Sequence, residues 1–351
     1  MYDIDASAPV LVTGATGYVA GWVIERLLAK GCSVHAAVRD PSNKEKLKYL
    51  DDLAEKLPGT ITYFETDLLK VGSYAEGMAG CELVFHTASP FTTAVKDPQK
   101  ELVDPAKLGT RNVLEEASRC PTVKKVVLTS SCASIYGDSA DSEDAPGGVL
   151  TEEVWNTTST LEHSPYSFSK TEAEKEAWRI AEGQDRWKLV VINPSLVVGP
   201  GINPHATSES FNLVKQMGDG TLKSGAPRLG IGAVDVRDVA DAHIEAGFRS
   251  EAEGRHIVSA ENTDFYQLSQ MLRAELGDTH PFPKRVAPKW LIWLVGPMVN
   301  PGLTRKFVSR NVDHPIKLDN AKSKTALGLE YRPVKTAMVE MFRQLVDSGQ
   351  V

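Results

Sequence analysis

Apolar and polar positions switch between two periods along the first two hundred residues. Val10–Thr13 is a short apolar run, and 18–30 then carries Val19, Val23, Ile24, Leu27 and Leu28 at helical spacing. Ser33–Val38 reads as a strand and 43–53 as a charged helix; 61–64 and 83–85 read as further strands. The pattern continues with a helix over 101–118, a strand at Lys125–Thr129, a helix over 171–182 and a strand at 189–192. Strands alternating with helices predict an α/β fold, a doubly wound parallel sheet covered on both faces.

Two stretches break the rhythm. Residues 137–165 are acidic, rich in Ser, Thr and Gly, and too long for an ordinary connection, which predicts a lid, a binding loop or a disordered segment. Beyond Pro200 the alternation becomes irregular and prolines cluster at 281, 283 and 288 and again at 297 and 301, predicting a smaller mixed region across the carboxyl edge of the sheet. Within it, Val234 and Val236 are expected on one strand face, with Asp238 capping a helix over 239–248. The aromatic and Met residues from Trp290 to Met298 are expected to pack in a core.

Composition narrows the classes. Among 351 residues, 39 Lys and Arg against 46 Asp and Glu give a net charge of −7, the wrong sign for a nucleic-acid partner. The longest apolar run, 290–299, contains Gly296 and Pro297 and falls well short of the about 20 residues that span a bilayer, so no membrane partner is expected. No basic segment precedes an apolar stretch at the start of the chain, so no secretory signal is read there. Cys32, Cys81, Cys120 and Cys132 form no CxxC pair and do not cluster with histidines. Reduced thiols in a cytoplasmic protein, with neither a metal site nor a disulfide framework, are the expectation.

The segment from Val12 to Ala20 follows the first strand and opens the first helix. Gly14 and Gly17 permit a tight turn, and the backbone through Thr16, Tyr18 and Val19 then brings N–H groups and a helix N-terminus to a pyrophosphate. Strand, loop, helix and second strand fall where a dinucleotide fold requires them. The end of the second strand has Val38 rather than an acid, then Arg39, with Lys44 and Lys46 behind it. A guanidinium can clamp a 2′-phosphate, so NADP is preferred; NAD stays possible, because Asp40 could read a ribose hydroxyl or pair with Arg39. Asp67 and Leu68, after the third strand, are candidates for the adenine. Thr87, Ala88 and Ser89, ending the fourth, would run under the cofactor.

Tyr166 and Lys170 form a YxxxK at the start of a helix that continues through Glu172, Ala173, Ala177 and Trp178. The spacing alone says little, because Tyr331 and Lys335 repeat it with Pro333 between them. A phenol, with an ordinary pKa near ~10, is a poor proton source at neutral pH. An ammonium one turn away and an oxidised nicotinamide both favour its ionised form, and the lysine can also hold ribose hydroxyls. Ser131 ends the fifth strand, 35 residues upstream of Tyr166, where it would donate a second hydrogen bond to a substrate carbonyl. Ser130 and Ser134 are the alternatives, and the Cys132 sulfur is expected to be inert.

TGATGYVA, VRDP, HTASP, TSS, YSFSK and NPSLVVGP, in this order, resemble the extended short-chain dehydrogenase/reductase family. The nearest branch holds dihydroflavonol reductases, cinnamoyl-CoA reductases and microbial aldehyde and ketone reductases. The resemblance implies Ser131, Tyr166 and Lys170 as the catalytic triad, with Arg39 on the 2′-phosphate and Asp67 with Leu68 at the adenine. Pro194, Ser195 and Val197 would lie beside the nicotinamide, and Asn112 matches a family helix position whose amide can equally be structural. Residues 1–199 would then form a dinucleotide-binding Rossmann domain to which part of 228–260 returns, and 200–351 mainly the substrate region. The expected activity is NADPH-dependent reduction of a small aldehyde or ketone by a monomer or homodimer. Phe91 and the 137–165 loop are candidate substrate contacts. A nucleotide-sugar epimerase or dehydratase with bound NAD is the first alternative, although dehydratases carry an Asp-Glu pair where this chain has Ser131-Cys132. The second is a dinucleotide sensor without chemistry.

Overall fold

Val10 and Val12 face one side of a sheet and Leu11 the other, and this alternation organises the two cores of the protein. The computed structural model describes residues 4–90, 95–203, 208–300 and 302–351. Its strands are β1 (Val10–Thr13), β2 (Ser33–Val38), β3 (Thr60–Glu65), β4 (Leu83–His86), β5 (Lys125–Thr129), β6 (Lys188–Pro194), β7 (Leu196–Val198), β8 (Gly230–Asp235), β9 (Gly254–Val258) and β10 (Glu261–Asp264). Seven form one parallel sheet in the order β3-β2-β1-β4-β5-β6-β9.

The helices Tyr18–Ala29 and Val236–Phe248 bury Val23, Ile24, Leu27, Val239 and Ile244 against Val10, Val12, Val34, Phe85 and Val127 on one face. The helices Asp104–Arg119 and Pro165–Glu182 bury Val113, Leu114, Ala177 and Ile180 against Leu11, Val84, Val126 and Val191 on the other. Each such side chain contributes about 1.5–3 kcal/mol relative to exposure, and a charged residue at Leu11 or Phe85 would lose that and add the cost of burying a charge. The predicted doubly wound sheet is the one observed. A second, three-stranded sheet has the order β10-β8-β7 and packs with Phe211, Met338 and Phe342 of the helices that follow β7.

Three local expectations are corrected. The helix after β8 begins at Val236, and its N-cap is Asp235, whose carboxylate accepts from the Arg237 N–H. Asp238 is instead buried inside that helix and ion-paired with Arg332. Segment 137–165 is not an unstructured loop. Asp138 is fully buried and accepts from His163 Nε2 at 2.9 Å, Arg310 Nε at 2.8 Å and Asn311 Nδ2 at 2.6 Å, while Leu150 bridges to Leu318. Finally, 290–299 does not pack in a core. It lies in the helix Lys289–Val299, where Trp290 is 68% and Met298 86% exposed.

Candidate functional site

The order of the strands makes a crevice. β1 is flanked by β2 on one side and β4 on the other, and the connections leave it in opposite directions, the switch point at which such sheets bind ligands outside their carboxyl ends. The register pairs Thr13 with His86, His86 with Leu128 and Thr129 with Ile192. It therefore brings Gly14, Thr87 to Ser89, Ser130 with Ser131, and Pro194 with Ser195 to one edge.

Gly14 has φ +63°, and a Cβ there would lie 2.9 Å from the Ala88 Cα, so only glycine fits. The loop closes through Gly17 N–H to Gly14 O at 2.8 Å. Gly17 caps the Tyr18–Ala29 helix with no side-chain hydrogen bond, and Thr16 and Val19 flank the cap half-buried. The N–H groups of that first turn are thus left for an anion. The Tyr18 side chain turns away from this role: its hydroxyl donates to Gly199 O, its ring meets Phe211 edge-on, and burial pushes its phenol pKa well up. Thr87 Oγ1 donates to Thr13 O, and Ala88 N–H donates to Thr13 Oγ1. Thr13 Oγ1 also shares a 2.9 Å hydrogen bond with His86 Nδ1. Burial, with a smaller contribution from the Lys170 ammonium, pulls that imidazole down to about 3, so it stays neutral beneath the loop.

At the end of β2, Arg39 is exposed and in no ion pair among the described residues. Asp40 does not engage it. Its carboxylate accepts from the Ser42 hydroxyl and N–H, which hold its pKa below the usual range. Asp67 is exposed, and its Oδ1 accepts from Leu69 N–H. Leu68 packs against Gly109, where a Cβ would come within 2.5 Å of Leu68 Cγ, and Asn112 Nδ2 donates to Leu68 O. Asn112 is thereby a structural amide for the Leu68 turn. At the end of β6, Pro194 is buried and Ser195 Oγ is enclosed with no partner among the described residues. Val197 belongs to β7, opposite Val234. The glycine cradle, the helix start without a side-chain cap and Arg39, which has no ion pair among the described residues, are features that dinucleotide phosphates would complete.

The three serines after β5 differ. Ser130 and Ser134 both donate to the buried carboxylate of Glu174, each at 2.5 Å. Ser131 is half-buried; its Oγ accepts from Ala133 N–H, and its own proton has no acceptor among the described residues. Cys132 is buried with its thiol on Asn193 O, and burial pushes its pKa far up, which keeps the sulfur protonated.

The Pro165–Glu182 helix starts from Ser164, a non-glycine residue at φ 58°. It packs on the Cys132–Ser134 turn. Tyr166 is 52% exposed, with no partner for its hydroxyl among the described residues. One turn on, the Lys170 ammonium lies 5.8 Å from the centre of the Tyr166 ring and donates to Ser89 Oγ at 2.9 Å, which ties the helix to the end of β4. Phe91 lies outside the described residues.

The support beneath Ser131 is not legible in the sequence. Glu174 Oε1 is ion-paired with Arg255 of β9 at 2.6 Å, and Oε2 also accepts from Asn193 Nδ2 at 2.8 Å. Asn193 Nδ2 reaches Ser131 O at 3.2 Å as well. Glu174 is four residues from Lys170 and eight from Tyr166, so helical periodicity put it on their face. A lone Glu there reads equally well as a solvated position.

The chain matches the model of the NAD dependent epimerase/dehydratase family over residues 10–258. It is 34% identical to cinnamoyl-CoA reductase CAD2 of Medicago truncatula over 96% of this chain and 95% of that one. It is 35% identical to tetraketide alpha-pyrone reductase 1 of Arabidopsis thaliana over 80% and 84% of the two chains. Among solved structures, Gre2 of Candida albicans in complex with NADPH superposes with a TM-score of 0.77 at 28% identity, covering 97% of this chain and 99% of that one. With a family model spanning β1 to β9 and relatives of this similarity along nearly the whole length, the chain belongs to the NAD dependent epimerase/dehydratase family, the extended short-chain dehydrogenases/reductases.

Proposed function

We propose that this protein is an NADPH-dependent reductase of aldehydes or ketones, with Tyr166 as general acid. The observation that carries the reading is the placement of Tyr166, with an exposed phenol that has no partner among the described residues, above Lys170 on a helix pinned to Ser89 beside the glycine loop. Gly14, Gly17 and the first turn of the following helix hold the pyrophosphate, and Arg39 holds the 2′-phosphate. When bound, the reduced nicotinamide supplies the hydride. Tyr166 donates a proton to the carbonyl oxygen as it gains charge, and Ser131 donates the second hydrogen bond to the same oxygen. Lys170 stabilises the phenolate left behind and fixes the ribose hydroxyls.

Support for NADPH over NADH comes from Arg39, which Asp40 leaves unpaired, and from the Gre2 structure solved with NADPH. The named activities of the relatives, cinnamoyl-CoA and tetraketide alpha-pyrone reductases, support a carbonyl substrate. The test is consumption of NADPH and NADH by the purified protein against aldehydes, β-keto esters, diketones and flavonoid ketones. The expected result is NADPH oxidation matched to alcohol formation. Turnover of nucleotide sugars without net NADPH loss would assign an epimerase instead, and intact NADPH binding with no turnover would assign a sensor.

A further inference from the structure

Of the twelve large hydrophobic residues exposed among the described residues, seven fall in the single helix Lys289–Val299: Trp290, Leu291, Trp293, Leu294, Val295, Met298 and Val299. A cluster of this kind marks a binding surface, whereas scattered exposed side chains do not. At 100° per residue the seven span about 240° of the helix circumference. The remaining side faces the protein: Gly296 is buried, and a Cβ on it would come within 3.3 Å of Leu303. Trp290, Leu294, Met298 and Val299 are more than half exposed, and Leu291, Trp293 and Val295 are partly covered.

Charge around the helix is as uneven as its hydrophobicity. Residues 279–312 contain Lys284, Arg285, Lys289, Arg305, Lys306 and Arg310 and no Asp or Glu, in a chain of net charge −7. Lys284 pairs with Asp278, and Arg310 with Asp138 and Asp141. Arg285, Lys289, Arg305 and Lys306 enter no ion pair among the described residues, and the Arg305 guanidinium lies 4.6 Å from the centre of the Trp293 ring. Arg285 and Lys289 donate to the carbonyls of Ser224 and Ser309, and no carboxylate among the described residues neutralises them. An apolar ridge with tryptophans on it, flanked in sequence by such cations, has the design of a helix that lies in a lipid interface.

We propose that the helix Lys289–Val299 docks this protein on the surface of a bilayer containing anionic phospholipid. Its eleven residues span about 16 Å, half of a hydrocarbon core, so it lies in the plane of the membrane and does not cross it. The length of the apolar run, which argues against a membrane partner, excludes only crossing. A second copy of the chain is the weaker occupant, since a two-fold contact through this helix would set the acid-free cation cluster of 279–312 against itself.

The test is flotation of the full chain with vesicles of phosphatidylcholine alone or mixed with phosphatidylserine. The expected result is flotation with the mixed vesicles, falling as salt is raised, and quenching of tryptophan emission by brominated acyl chains. Trp290→Ser with Leu294→Ser should lower partitioning at least about tenfold with an unchanged unfolding temperature. Arg305→Glu with Lys306→Glu should lower it on the mixed vesicles only. Absence of flotation with the mixed vesicles, or equal flotation of the first variant and the natural protein, overturns the proposal. So does a concentration-dependent dimer that the first variant abolishes, in a protein that ignores vesicles; that result would assign the helix to a second copy.

Discussion

The molecule contains the same pair of side chains at the same spacing twice, in opposite circumstances. Tyr166 opens a regular helix, half exposed, with its hydroxyl free among the described residues and Lys170 one turn behind it. Tyr331 sits before Pro333, outside the helix Val334–Asp347. Its hydroxyl is bound to Ser323 Oγ at 2.7 Å, and burial pushes its phenol pKa up. Lys335 points to Glu275, with Nζ 2.9 Å from its carboxylate. The first pair is held next to the carboxyl edge of the sheet with its polar ends open. The second is satisfied by its neighbours. A functional reading therefore comes from unfilled hydrogen-bonding capacity at a ligand crevice, and residue type at a fixed interval does not supply it.

Substitutions that treat the two pairs alike should separate them. Lys170→Met is expected to lower kcat/KM for NADPH-linked reduction about 10²–10⁴-fold, because it disables the acid and the ribose contact together, whereas Lys335→Met removes an exposed ion pair and leaves turnover unchanged. Steady-state kinetics of both variants checks this. Ser131→Ala should reduce kcat about 10²–10³-fold, while Ser130→Ala, which strips a hydroxyl from Glu174, should appear chiefly as a lower unfolding temperature. Arg39→Ser should weaken NADPH binding about 10–100-fold and leave NADH nearly unaffected, as measured by fluorescence titration. Tyr331→Phe should cost about 1 kcal/mol of stability in urea with no change in kcat.

The smallest effect concerns the back of the Tyr166 helix. Arg179 and Arg111 draw the Glu176 carboxyl down to about 2 from the 4.5 of a free glutamate. A depressed folded pKa adds stability above pH 4.5 and loses it as pH falls toward 2. Glu176→Gln should therefore be less stable at neutral pH by about 1 kcal/mol, with the gap to the natural protein closing across that window in urea titrations.

The first half of the chain was readable because its physics is local. A short apolar run at β1 and a stripe at helical spacing on 18–30 each specify one element, and the turn between them needs only the positive φ of Gly14. What was misread depends on partners distant in sequence. Asp138 belongs to the acidic stretch 137–165, expected to be a lid, a binding loop or a disordered segment, yet it is buried with Arg310 and Asn311, more than 170 residues away, as partners. Glu174 took its meaning from Arg255 and Asn193 on other strands. The run 290–299 followed the rule that apolar residues go inside, which fails here because Trp290, Leu294, Met298 and Val299 stay more than half exposed among the described residues. Asp238 was assigned the cap that Asp235 provides, an error of one helical turn that composition could not resolve.

Single-turnover oxidation of saturating NADPH by the Tyr166→Phe protein, read in a stopped flow beside the natural protein with the same aldehyde, isolates the chemical step from binding. Unchanged cofactor affinity and a rate lower by about 10²–10⁴-fold are expected. A Tyr166→Phe protein that turns over at the natural rate would contradict this expectation.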